Sequence, residues 1–128
     1  MNHNESYKVL VCKIIEIAEI QGFTVYHEKK GLETEFSFSQ FTERGQDFSF
    51  SISMDNQDFV TFLTELSDYY EGYDPEAETM LWLDNDGHGK NGAPFHMRDV
   101  LSDMEDCEKM IGQLFDALQS AYLNNEIA

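Results

Sequence analysis

The run Asp84-Asn85-Asp86-Gly87-His88-Gly89-Lys90-Asn91-Gly92 is the stretch whose residue types look most like chemistry. Carboxylates two apart, followed by a histidine, suit a divalent cation. With Asp84 first in a calcium loop, Asp86 is third, His88 fifth and Gly89 sixth, where such a loop turns. The twelfth position should supply a bidentate glutamate and is Phe95, so the strongest ligand is missing. Asp84, Asp86 and His88 are thus candidate ligands of a weak cation site, set against the plainer reading of a glycine-rich turn. As a phosphate-binding loop the run fails. Lys90 is followed by Asn91 rather than Ser or Thr, and the preceding residues pattern as helix instead of strand.

Other constellations are weaker. His3, His27, His88 and His96 show no zinc-type spacing with one another, and Cys12 and Cys107 form no C-x-x-C pair. Cys107 sits between Asp106 and Glu108, a setting that disfavours a thiolate, and Cys12 falls on or beside an apolar stripe. Both are expected as reduced core thiols. There is no G-x-S-x-G nucleophile elbow, and no carboxylate pair stands out among 25 acidic residues. The expectation is a protein that is not an enzyme and carries no cofactor.

The elements holding these residues read as a single α+β domain over 1–128: an N-terminal helix, a three-stranded antiparallel β-meander, then three helices packed on one face of the sheet. Asn4 is placed to cap a first helix carrying Tyr7, Leu10, Val11, Ile14, Ile17 and Ala18 at spacings of three and four, with Gly22 as its stop. Phe23–Tyr26 reads as a strand ended by a turn at Lys29-Lys30-Gly31. Phe36 and Phe38 alternate with serines, Phe41 falls out of step, and Phe48, Phe50, Ile52 and Met54 alternate with Asp47, Ser49, Ser51 and Ser53. One buried and one serine-lined face follow, with a hairpin around Gly45. Asp55 is the expected cap of a second helix carrying Phe59, Phe62, Leu63, Leu66 and Tyr70. Asp74-Pro75-Glu76 starts a short third helix running to about Leu83. The last helix begins near Met97 or at the box Ser102-Asp103-Met104-Glu105, and fraying is expected from Asn124 to the end, 124–128.

Charge then sets the class of partner. Twenty-five Asp and Glu against eight Lys and Arg give a net −17, yet 41% hydrophobic residues separate the chain from a disordered acidic tail. Direct nucleic-acid binding is excluded for want of clustered cations, and attraction to an anionic membrane with it. Lys8, Lys13, Glu16 and Glu19 interrupt the most apolar stretch, so no run of about 20 apolar residues crosses a bilayer. Met1–Glu5 lacks the pattern of a secretory signal, and a cytoplasmic location is expected. The acidity is also local. Between Gly45 and Gly89 there is no Lys or Arg and there are eleven acids. Asp58, Glu65, Asp68, Glu71, Asp74, Glu76 and Glu78 are the candidate partner-binding set, with a second cluster at Asp99, Asp103, Asp106 and Asp116. Such a face either serves solubility and blocks self-association, or meets a basic protein surface. Carboxylates on rigid helices can imitate phosphates, which recur about every 3.4 Å along a strand of DNA.

Four pieces resemble a family of small acidic bacterial proteins of unknown function, often carried on mobile elements. They are Gly45-Gln46-Asp47-Phe48-Ser49-Phe50, Tyr73-Asp74-Pro75-Glu76, Gly92-Ala93-Pro94 and Arg98-Asp99-Val100-Leu101-Ser102-Asp103-Met104-Glu105, within about Phe36 to Leu118. The resemblance brings no catalytic or ligand residues. It implies a bacterial setting in which such proteins often counter host defence, with acidic DNA-mimicking antirestriction proteins as an analogue by charge alone. The leading expectation is a non-enzymatic interaction protein for a basic partner, as a nucleic-acid mimic inhibiting a DNA-processing or defence enzyme. The alternatives are a weak divalent-cation module at Asp84–Asn91 and a homo-oligomer built on Tyr69, Tyr70 and Tyr73, with acidity serving only solubility. The oligomeric state stays open.

Overall fold

The computed structural model describes residues 3–127, with side chains from residue 5 onward. Helix α1 spans His3–Ile20, so its first turn already contains Asn4 and the expected cap lies inside the helix. The buried residues Leu10, Val11, Ile14 and Ala18 make its inner stripe. Its end closes on two backbone bonds, Phe23 N–H to the Ala18 carbonyl and Gly22 N–H to the Glu19 carbonyl, both 3.0 Å. Gly22 takes the left-handed φ of +95° that this closure requires. Cys12 is exposed rather than in the core, because it falls outside that stripe.

The sheet is antiparallel in the order β1-β2-β3, with β1 at Thr24–Lys30, β2 at Glu33–Phe41 and β3 at Asp47–Asp55. Strand β1 runs past the turn expected at its lysines. Lys29 and Lys30 pair with Thr34 and Glu33, and Gly31-Leu32 make the turn instead. Phe38 pairs with Phe50 and Phe36 with Ile52, all four buried. The opposite face pairs Ser37 with Ser51 and Ser39 with Ser49, and the Ser37 and Ser51 hydroxyls are 3.0 Å apart. Phe41 shares the serine parity and is left exposed.

Helices α2 (Phe59–Gly72), α3 (Pro75–Leu81) and α4 (Met97–Leu123) complete the fold. Helix α2 packs on β3 and α4, α1 on β1 and α4, and α3 on α4. The phenylalanines fit edge-to-face and stacked: Phe36 meets Phe62 at 5.3 Å between ring centres, and Phe38 meets Phe50 at 5.3 Å. Each buried ring contributes about 1.5–3 kcal/mol relative to exposure.

Further boundaries differ from expectation at α2 and α3. Asp55 remains in β3, Asn56 and Gln57 turn through positive φ, and Asp58 is the cap, its Oδ1 accepting from Val60 N–H at 3.0 Å. Helix α3 stops at Leu81, and of the two expected starts α4 takes Met97, behind His96, so Ser102 and Glu105 lie mid-helix and form no box. Past α4 the described chain continues as a turn as far as residue 127, and residue 128 of the segment expected to fray lies outside the described residues. Asn125 takes a positive φ, Glu126 N–H bonds the Ala121 carbonyl at 2.8 Å, and Ile127 is buried in the core. No helix among the described residues is long and apolar enough to cross a membrane.

Candidate functional site

The Asp84–Gly92 run is folded tightly rather than left open. Asp84 N–H donates to the His88 carbonyl at 2.7 Å, Gly87 N–H to the Asp84 carbonyl at 3.1 Å, and Gly87 has φ +81°. Together these make a one-turn hairpin with a glycine bulge. Gly89 bonds across to the Phe95 carbonyl at 2.9 Å, in space so close that a Cβ there would sit 1.6 Å from the Pro94 carbonyl oxygen. The strand-like pairing of Leu83 with Gly89 and of His88 with His96 pins this lariat to the start of α4.

The turn brings the three candidate cation ligands together, with ligand atoms of Asp84, Asp86 and His88 all within 4.8 Å of one another. Asp84 Oδ1, however, already accepts from the Asp86 and His88 N–H groups, each at 2.9 Å. The His88 N–H bond, then that from Asp86, holds the Asp84 carboxyl below its ordinary pKa. The His88 ring stacks on Phe95 at 4.2 Å. Turn chemistry accounts for the place of the Asp84 carboxylate in this grouping.

A cleft of about 170 Å³ lies between the hairpin tip, α2 and α4, lined by Gln46, Tyr69, Tyr73, Glu78, Trp82 and Cys107 among others. Burial pushes the Cys107 thiol up to about 12, and the charges of Asp103, Asp106 and Glu78 add to it. Burial, with Glu78 behind it, raises the Tyr69 hydroxyl to about 12, and burial with the neighbouring Cys107 drives that of Tyr73 higher still. All three groups are protonated at neutral pH, which leaves neither a thiolate nucleophile nor a phenolate base there. Tyr69 stacks on Phe50 at 4.9 Å and Tyr73 is buried, so only Tyr70 of the three tyrosines is exposed; the aromatic self-association surface expected from them is mostly spent on packing.

The seven acids of the candidate partner-binding set divide by local role. Asp58 and Asp74 are helix caps, Asp74 Oδ1 accepting from Glu76 N–H at 3.0 Å. Glu65 accepts a hydrogen bond from Ser53 N–H on the outer edge of β3. Glu78 is half-buried on the cleft wall. Asp68, Glu71 and Glu76 remain exposed on α2 and α3, with no ion pair to a cation among the described residues.

The second cluster changes most. Asp103 is fully buried, and its Oδ2 accepts from the Thr42 hydroxyl at 2.8 Å while Oδ1 has no hydrogen-bond partner. One helical turn earlier, Asp99 pairs with Arg44 at 3.2 Å. The β2–β3 turn therefore clamps the first turns of α4, and two acids expected in a solvated cluster are structural. The missed signal was position, since Asp103 falls on the stripe of Val100, Met104, Cys107 and Ile111.

Compared with protein-family models, with curated proteins and with solved structures, the chain matches none of them.

Proposed function

We propose that this is a non-enzymatic acidic interaction protein whose partner presents a basic surface, and that it competes with nucleic acid for the groove of a DNA-processing or defence enzyme. One observation carries the reading: Asp68, Glu71 and Glu76 stand exposed on helices, in no ion pair among the described residues, in a stretch devoid of Lys and Arg. Carboxylates so placed repel one another by a few tenths of a kcal/mol per neighbouring pair, a cost a cationic partner would relieve. The test is capture from a bacterial lysate on the immobilised protein at low and high salt, followed by elution with duplex DNA. Retention of nucleic-acid-handling proteins that both salt and duplex release supports the reading; retention indifferent to either overturns it.

A second reading, a weak cation module, rests on the convergence of Asp84, Asp86 and His88. Trp82, two residues before Asp84, reports on it. A calcium titration that leaves Trp82 fluorescence flat at millimolar metal disposes of it.

A further inference from the structure

The acids of α3 border something other than water. Met80, Met97 and Leu101 line a groove of about 240 Å³ between α3 and the start of α4, with Thr79 and Glu76 completing its wall. Met80 and Met97 are 61% and 45% exposed, large values for side chains that a monomer has every reason to bury. Leu81, next to Met80, and Phe95, two residues before Met97, are exposed as well. Methionine is the side chain best able to remould itself around an apolar anchor. The groove thus offers an adaptable apolar floor, and the charge around it chooses the occupant. Glu76 lines the groove, Asp74 caps the same helix, and Glu105 continues the Met97–Leu101 row of α4, whose first turn also carries Arg98; the lariat between the two helices adds Asp84 and Asp86 against Lys90, so acids outnumber cations there. A second copy of this chain would bring the same acidic rim and be repelled, as would an anionic membrane or a nucleic acid.

We infer that this groove docks a basic amphipathic helix of the partner, whose apolar residue inserts among Met80, Met97 and Leu101 while flanking lysines or arginines meet the acidic rim. The inference rests on the reading of a basic partner and adds an anchor that charge alone does not supply.

Two synthetic probes separate the two claims: an amphipathic lysine–leucine helical peptide, and a peptide of equal charge with every leucine replaced by serine. Both are titrated by fluorescence anisotropy against the wild-type protein and Met80→Ser/Met97→Ser, with circular dichroism to confirm the fold. Met80→Gln alone serves if the double variant does not fold. The expected result is about tenfold tighter binding of the leucine peptide by the wild type, lost in the variant, with the serine peptide bound equally by both. Equal affinity of the wild type for both peptides overturns the groove and leaves the basic-partner reading standing. A preference that survives in the variant also overturns the groove. Binding of neither peptide at low salt overturns both claims. Sedimentation showing a dimer that the double variant abolishes overturns the inference in favour of self-association.

Discussion

Asp103 shows how far one carboxylate can depart from the role its type suggests. It is fully buried, held by the Thr42 hydroxyl through one oxygen and by nothing through the other. Burial raises its pKa above the ordinary carboxylate value; the Thr42 bond and the neighbouring Arg44 oppose the shift without cancelling it. A carboxyl whose folded pKa exceeds its unfolded one stabilises most below the unfolded value, and that contribution is lost as pH rises through the folded one. Asp103→Asn should therefore be more stable than the wild type at pH 7 in urea titration, with the gap closing as pH falls into the range where the carboxyl is protonated in both states. A gap that does not change with pH would show that charge is not its cause. Thr42→Val should cost about 1.5–3 kcal/mol at pH 7, the usual loss for a hydrogen bond to a charged group. The helical period placed Asp103 on the buried side, but a rule that sends carboxylates outward hid it. What keeps it inside is a hydroxyl 61 positions away, and no local pattern announces that pairing.

Helices and strands were legible where a side-chain period ran long enough, and their ends were not. The alternation of Phe48, Phe50, Ile52 and Met54 determines which face of β3 is wet, and the register keeps it so. The start of α2 went to Asp58 instead of Asp55 because two polar residues in left-handed conformation extended the turn, something Asn and Gln announce poorly. Asp58→Ala should accordingly lower stability by about 1 kcal/mol. Asp55→Ala should be neutral or slightly stabilising, since Asp55 faces Glu33 across the strands and the change removes a like-charge pair. Chemical denaturation of the two variants decides which residue is the cap. In the lariat before α4, the glycines looked like flexibility and one of them is a packing requirement. Gly89→Ala would put a methyl on the Pro94 carbonyl, so it should cost about 1–3 kcal/mol and change the emission of Trp82, whose carbonyl accepts from Lys90 at 3.0 Å.

The net charge of −17 divides, on inspection of the fold, into acids with work inside the molecule and acids without it. Caps, the β3 edge, the hairpin clamp and the cleft wall account for Asp58, Asp74, Glu65, Asp99, Asp103 and Glu78. Composition alone could not make that division, because a capping aspartate and a free one are the same letter. Self-repulsion of the remainder predicts that added salt raises the melting temperature of the wild type. It also predicts that Asp68→Lys/Glu71→Lys/Glu76→Lys, which moves the net charge from −17 to −11, melts no lower than the wild type. A control with the same net charge carries Glu16→Lys, Glu19→Lys and Asp116→Lys, exposed positions on α1 and α4. Comparing these two variants in lysate capture at low salt is the most direct test that the acidity is a local binding face. The expectation is that the α2–α3 triple loses the partner while the control keeps it; equal loss in both, or none in either, would contradict it.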